Sequence, residues 1–293
     1  MTLFGKTIAL VLIGISMTAC TYRVHESNVV IPRAAPPADI DALRAAFPEH
    51  QVDVLKIPSS ESAELYSLRF RRPDAVATVV YFGGNGYTAA KFAERTMQVY
   101  REAPVNVVVT DHRGYGASTG TPTIDSLMGD ALRVYDHTLA DPGLGNVPVI
   151  LHGHSLGSFM AGHVASERKL AGLVLESSVT STEDWTGHLR SRQSPWIRLL
   201  VRRVVPAGTL AGKGNQGVAA GIDEPVLFLV GADDDVTPPR FSQTLFEAAP
   251  VAPEDKHLVV VPGKNHMNAA DSPEYKHAFS AFTARITDKW HCC

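Results

Sequence analysis

The segment 151–158 constrains the fold of this chain more than any other stretch. The apolar run before it is typical of a buried strand, and the residues after Ser155 are typical of a helix. A reversal this tight crowds the neighbouring side chains, so that only glycine is tolerated two residues before and two residues after the serine. Gly153 and Gly157 occupy those positions. The sequence therefore predicts a nucleophile elbow, in which the Ser155 hydroxyl and the Leu156 N–H face the same space. The alternative is a glycine-rich turn with a solvated serine.

Segments typical of strands and helices alternate along most of the chain. Two alternating segments precede continuously apolar ones, as in a sheet that passes from an antiparallel edge to a parallel centre covered by helices. The predicted strands are 52–57, 65–71, 76–82, 105–110, 147–151, 170–175, 226–230 and 257–261. With 45% hydrophobic residues and a net charge of −3, the composition suits an enzyme-sized domain and gives no indication of a nucleic-acid partner. We expect one α/β domain, residues 51–293, with a doubly wound, mostly parallel sheet of about eight strands.

The first residues have the features of an export signal. Lys6 and the amino terminus are positive, and the apolar core 8–15 is too short to span a bilayer comfortably. Small residues then precede Cys20, which resembles the lipobox of bacterial lipoproteins. The resemblance implies that residues 1–19 are removed and that Cys20 carries a lipid. Because Thr21 follows rather than aspartate, it also implies a periplasm-facing anchor in the outer membrane. An ordinary secretory signal is the alternative.

Residues 20–50 are predicted to connect this anchor to the domain. The proline-rich stretch 31–37 favours an extended tether, and a short helix is expected at about 38–47. The other two cysteines, Cys292 and Cys293, end the chain, so no disulfide framework is predicted. They can pair with each other or with another chain, although a tail without a role fits them as well.

A serine hydroxyl is a poor nucleophile without a base, and the base needs a group that fixes its tautomer. Candidates for both follow predicted strands further along the chain: the loop 232–238 contains three consecutive aspartates, and His266 follows the last predicted strand. His152 and His154 flank the serine, but the tight turn directs their side chains away from its hydroxyl. No cysteine or carboxylate matches the spacing of these two histidines, so neither a metal nor a cofactor is predicted.

Serine, aspartate and histidine in this order, each at a strand end, resemble the α/β-hydrolases over residues 52–290. The resemblance implies an α/β-hydrolase fold. It also implies a catalytic triad of Ser155, Asp234 and His266. Among the three aspartates, the G-x-x-D-x-x-x-P pattern counted from Gly231 selects Asp234 over either neighbour.

The same resemblance assigns roles to two loops. The glycine-containing loop 83–87 is expected to bind an oxyanion through the Asn85 N–H, which would act together with the Leu156 N–H. The segment 111–118 looks like the D-x-R-G-x-G-x-S loop of these proteins, where the charged residues are mostly architectural. We therefore do not expect Asp111 to be catalytic.

The alternation of strands and helices pauses between residues 180 and 222, where such enzymes commonly insert a cap. From residue 185 to 222 the chain has six basic residues and no acidic ones. Apolar residues in 196–205 recur at helical spacing, which predicts a helix with Arg198 and Arg202 on another face. This helix is a lid, a membrane-facing surface or ordinary cover for the sheet.

The sequence thus predicts a serine hydrolase that cleaves small-molecule or lipid esters, or thioesters, through an acyl-enzyme. His266 would deprotonate Ser155, Asp234 would orient His266, and the N–H groups of Asn85 and Leu156 would stabilise the oxyanion. Hydrolysis of amides or peptides would use the same residues. A noncatalytic lipoprotein with this fold is disfavoured because all three triad residues are present.

Overall fold

The computed structural model describes residues 20–291. The strands in this range are β1 (Cys20–Val24), β2 (Gln51–Pro58), β3 (Glu64–Arg71), β4 (Ala77–Phe82), β5 (Val105–Thr110), β6 (Val149–His154), β7 (Gly172–Glu176), β8 (Val201–Pro206), β9 (Val226–Gly231) and β10 (Lys256–Val261). The helices are α1 (Ile40–Ala46), α2 (Ala89–Tyr100), α3 (Ile124–Ala140), α4 (Leu156–Glu167), α5 (Thr182–Ser191), α6 (Pro195–Leu200), α7 (Gln216–Gly221), α8 (Pro239–Ala248) and α9 (Pro273–His291). The predicted export signal, residues 1–19, and the last two cysteines lie outside the described residues.

Eight strands form the main sheet, in the order β10-β9-β7-β6-β4-β5-β3-β2. Neighbouring strands in this sheet are parallel, except that β3 is antiparallel to both of its neighbours, β2 and β5. Every residue of β4, β5 and β9 is buried because helices cover both faces of the sheet. The predicted change from an antiparallel edge to a parallel centre is therefore confirmed, and the carboxyl ends of the parallel strands meet at one edge.

The amino-terminal segment, for which the sequence predicts an extended tether, contacts the domain. Val24 and Val30 are buried, and β1 pairs in parallel with β8. Within the proline-rich stretch, the Arg33 carbonyl accepts the Gly116 N–H over 2.8 Å, and Ala34 forms a β-bridge with the same glycine. The prolines do favour extended backbone, as expected, but extended backbone has free polar groups that other parts of the surface can pair with.

The cap corrects a second prediction. The apolar spacing in 196–205 wrongly predicts one helix, because α6 ends at Leu200 and β8 follows immediately. Arg198 and Arg202 therefore do not share a helical face. The valines of β8 favour a strand, and β1 supplies the hydrogen-bonding partner from the other end of the chain. No helix between residues 20 and 291 is long and apolar enough to cross a bilayer.

Candidate active site

Ser155 lies on the turn between β6 and α4, with φ of 52° and ψ of −115°, a conformation that non-glycine residues rarely adopt. A Cβ at Gly153 would lie 2.4 Å from the Gly157 carbonyl oxygen, and a Cβ at Gly157 would lie 2.0 Å from that of Phe82. These close approaches explain why both positions are glycine. The Ser155 N–H donates to the Glu176 carbonyl over 2.9 Å, which fixes the turn to the neighbouring strand.

The structure brings the three residues of the predicted triad together at the carboxyl edge of the sheet. His266 Nε2 lies 2.9 Å from Ser155 Oγ, and His266 Nδ1 lies 2.8 Å from Asp234 Oδ2. Asp234 follows β9 and is buried, whereas Ser155 and His266 are partly exposed. An imidazole held in this way can accept the proton of the hydroxyl while its other nitrogen faces a carboxylate.

The Asp234 carboxylate is held by its own loop. Its Oδ1 accepts the N–H groups of Val236 and Thr237 over 2.9 and 2.8 Å, and the Thr237 hydroxyl donates to Oδ2 over 2.8 Å. Burial favours the neutral acid, but the hydrogen bond and charge of His266 outweigh this effect and lower the pKa of Asp234. Thr237 was not predicted from the sequence. The signal for it is a hydroxyl residue three positions after the aspartate, a spacing typical of turns that such side chains close.

The neighbouring aspartates do not reach the site. Asp233 and Asp235 are exposed. Asp235 instead forms an ion pair of 2.5 Å with Arg192, at the end of α5. Of the three consecutive aspartates, only Asp234 contacts His266.

His154 lies next to Ser155 in the chain and lines the same cavity, but its contact is with the backbone of the loop that carries His266. Burial lowers the pKa of its imidazole, and the neutral ring donates from Nε2 to the His266 carbonyl oxygen over 2.9 Å. This bond ties the loop that carries His266 to the end of β6. His154 therefore positions the candidate base.

His152 belongs to a buried polar network beneath the elbow. The Tyr100 hydroxyl donates to His152 Nδ1 over 2.7 Å, and the Tyr275 hydroxyl donates to Glu176 Oε2 over the same distance. His152 Nε2 lies 3.2 Å from that carboxylate oxygen. Burial favours the neutral form of Glu176, but the nearby imidazoles and the Tyr275 hydroxyl outweigh it and lower the pKa of Glu176 to about 2.

The predicted oxyanion donors, Asn85 and Leu156, both line the cavity beside Ser155. Leu156 is the first residue of α4, so its N–H has no partner within the helix. The Tyr115 hydroxyl donates to Asn85 Oδ1 over 2.9 Å, which fixes this loop. His112, another residue that the sequence analysis missed, donates to the Gly83 carbonyl over 2.7 Å, and burial lowers its pKa.

The charged residues of the 111–118 loop bind backbone groups and an ion-pair partner, and they do not contact the triad. Asp111 accepts the N–H groups of Ala89 and Ala117 over 2.6 and 2.9 Å, and burial raises its pKa to about 6. Arg113 is fully buried and binds Asp130 through two hydrogen bonds of 2.8 and 2.6 Å. These contacts agree with the architectural role that we expected.

A cavity of about 350 Å³ lies beside the Ser155 hydroxyl. Much of its wall is apolar, with Phe92 from α2, Phe159 from α4, and Trp185 and Leu210 from the cap. The amino-terminal segment adds Val29. In the part of the chain that the structure describes, no group of three or more histidine, cysteine or acidic residues is arranged to hold a metal ion.

Comparison with known sequences finds relatives that match part of the chain. Residues 73–217 match the family described as serine aminopeptidase, S33. Human protein ABHD12B is 29% identical over 216 residues, and the match covers 68% of this chain and 58% of that protein. The chain thus spans little more than half the length of this relative.

Comparison of structures extends the likeness to the whole domain. The esterase Pf2001 of Pyrococcus furiosus has a TM-score of 0.67 at 18% identity, with 88% of this chain and all (100%) of that chain covered. Est1E of Butyrivibrio proteoclasticus, solved with ferulic acid, has a TM-score of 0.60 at 16% identity, with 79% and 98% covered. At such identities the likeness shows the fold alone. The predicted α/β-hydrolase fold is confirmed.

Proposed function

We propose that this member of the α/β-hydrolase superfamily is a serine hydrolase that cleaves carboxylic esters or thioesters through an acyl-enzyme. The observation that carries the proposal is the hydrogen-bonded series Ser155, His266 and Asp234, which begins at the wall of an apolar cavity. The esterases that share the fold support this class of substrate.

The chemistry follows from the geometry. His266 Nε2 accepts the Ser155 proton as Oγ attacks the carbonyl carbon, and the N–H groups of Asn85 and Leu156 stabilise the negative oxygen that forms. His266 then gives the proton to the leaving alcohol or thiol. A water molecule, activated by the same imidazole, releases the acid from Ser155. The ionised Asp234 stabilises the imidazolium in both halves of the cycle.

The shape of the site favours an apolar acyl group. A cavity of 350 Å³ with aromatic and aliphatic walls can bury a short or medium acyl chain next to the nucleophile. A second candidate function is hydrolysis of amides or peptides, since the matching family is described as serine aminopeptidase. A panel that compares p-nitrophenyl esters with aminoacyl p-nitroanilides separates the two.

Replacement of the nucleophile tests the proposal. Ser155→Ala should lower kcat for p-nitrophenyl butyrate by at least about 10³-fold and abolish labelling by a fluorophosphonate, because the bond-forming atom is gone. Ser166→Ala is the matched control, since Ser166 lies exposed on the same helix and should leave both measurements unchanged. Retained labelling of the Ser155→Ala protein would contradict the assignment.

We also propose that Cys20 carries the lipid anchor and that the protein faces the periplasm from the outer membrane. Cys20 is exposed, as acylation requires. Cys20→Ser should move the protein from the membrane fraction to the soluble periplasmic fraction. Unchanged fractionation would point to another form of attachment.

A further inference from the structure

Helix α6 is apolar and lies outside the core. Every residue from Ser191 to Leu200 is exposed, and the exposed fractions of Trp196 and Leu200 are 77% and 59%. Ile197 and Leu199 are exposed as well. Helices with so few polar residues are normally buried, and an exposed cluster of large apolar side chains marks an interaction surface.

Three arginines in and just after α6 have no carboxylate partner among the described residues. Within residues 20–291, Arg198, Arg202 and Arg203 are exposed and form no ion pair, whereas Arg192 and Lys213 of the same insertion are paired with Asp235 and Asp125. Unpaired arginines beside exposed aromatic and aliphatic residues complement the anionic headgroups and acyl chains of a bilayer.

The start of the described chain lies at this cluster. Cys20 is paired with Val201, the residue that follows α6. Tyr22 of the same strand is also exposed, at 54%. In the sequence, Cys20 follows the apolar export signal. The part of the chain that would meet a membrane therefore ends next to the exposed residues of α6.

The same elements are connected to the cavity. Arg190 of α5 donates to the Val201 carbonyl over 3.0 Å and to the Arg198 carbonyl over 3.1 Å, which joins α6 and β8 to α5. Trp185 of α5 lines the cavity, as does Val29 shortly after β1. A molecule that binds α6 is thus connected to the cavity through α5, which is hydrogen-bonded to α6 and contributes Trp185 to the cavity wall.

We propose that α6 and the ribbon of β1 and β8 form a surface that binds an anionic lipid bilayer. We call it the docking surface; it consists of Tyr22, residues 196–200, Arg202 and Arg203. Trp196 and the leucines enter the headgroup region, and the arginines contact lipid phosphates. Docking holds the cap, and with it the cavity wall, against the membrane. The binding itself is independent of the proposed hydrolase activity.

Quenching of tryptophan fluorescence tests the proposal in the full-length protein, whatever its form of anchoring. The protein is reconstituted in vesicles of equimolar phosphatidylcholine and phosphatidylglycerol, with and without brominated acyl chains. Trp196→Phe should remove most of the fluorescence that bromine quenches. Trp290→Phe is the matched control, because Trp290 is 51% exposed on α9 and should contribute none of that fluorescence. Equal quenching in the parent and in Trp196→Phe would overturn the proposal.

The arginines are tested in the same vesicles. The double variant Arg202→Glu/Arg203→Glu should lower the equilibrium constant for docking by about fivefold or more for each arginine. The constant is measured from the quenching of Trp196. Salt and pure phosphatidylcholine vesicles should reduce the difference between variant and parent. Quenching that is independent of both the arginines and the anionic lipid would overturn the proposal.

Two further measurements distinguish a failure of docking from a failure of the hydrolase function and from a loss of the fold. Ser155→Ala should be quenched like the parent, so that a failure of the proposed hydrolase function is distinguished from a failure of docking. Hydrolysis of a water-soluble ester by Trp196→Phe should match the parent, which verifies its fold. If Trp196 resists bromine and Trp196→Glu dissociates a dimer in sedimentation experiments, the occupant is a second copy of this chain and the bilayer proposal is wrong.

Discussion

Asp234 and Asp235 are neighbours in the chain, but Asp234 binds the candidate base His266 and Asp235 binds Arg192 of the cap. Asp234 is 3% exposed and has four hydrogen bonds, one of them to His266. Asp235 is exposed and holds Arg192 of the cap through an ion pair. Of these two carboxylates, the one at the edge of the sheet is buried with fixed partners, and the one that contacts the cap is exposed, so that water can replace its partner.

The two regions are also expected to differ in how well they tolerate substitutions. Around Ser155, small changes in volume or charge have no room to relax, because backbone atoms surround the turn on several sides. In the cap, a Cβ at Gly187 would have no atom within 4 Å other than its chain neighbours and the backbone of its own helix. We therefore expect substitutions at the sheet edge to be costly and matched substitutions in the cap to be mild.

The largest effect is expected from the two aspartates. Asp234→Asn should lower kcat for a short ester by about 10⁴-fold, because the amide neither fixes the required tautomer of His266 nor stabilises its charged form. Asp235→Asn should change kcat by less than about threefold, since an exposed ion pair contributes about 1 kcal/mol or less. Steady-state kinetics of both variants checks this. Similar losses in the two variants would remove the contrast between the sheet edge and the cap.

The glycines give a second, smaller contrast in stability. Gly157→Ala would place a Cβ 2.0 Å from the Phe82 carbonyl oxygen, and we expect it to lower the free energy of unfolding by about 3 kcal/mol or more. Gly187→Ala, inside α5, should raise it by about 0.5–1 kcal/mol because alanine is the better helix former. Urea unfolding measures both. A mild Gly157→Ala variant would show that the elbow can relax.

The third contrast concerns pH. The pKa of Glu176 is lowered from 4.5 to about 2 in the folded protein, so its ionised form stabilises the fold above pH 4.5. That contribution is lost as the pH falls from 4.5 towards 2. Glu176→Gln should therefore lower the free energy of unfolding by about 2–3 kcal/mol at pH 7, and by less at pH 3.

A cap ion pair provides the control for this experiment. Asp125 binds Lys213 at an exposed position, and Asp125→Asn should change stability by less than about 0.5 kcal/mol at either pH. Urea unfolding at the two pH values compares the variants. A loss in Glu176→Gln that is equal at both pH values would mean that packing, rather than charge, explains the effect.

The two regions also differ in how far the sequence predicts them. The central strands of the sheet are apolar because both faces are buried, so their positions and the order of Ser155, Asp234 and His266 are visible in the sequence. The contact of His112 with Gly83 is not, since it joins two loops that meet only in the folded chain, whereas the contact of Thr237 with Asp234 is local and its spacing is present in the sequence. In the cap, β8 forms because β1 pairs with it across 176 intervening residues (25–200), and no local pattern contains that information.

If Cys20 carries the proposed lipid anchor, its pairing with Val201 places the point of attachment on the ribbon of β1 and β8. A pull on the amino terminus acts first on the ribbon of β1 and β8, whose pairs open one after another from that end. The central strands belong to the separate eight-stranded sheet and share no hydrogen-bonded pairing with this ribbon. A protein tethered through residue 20 can therefore yield at its attachment while Ser155 and His266 keep their spacing.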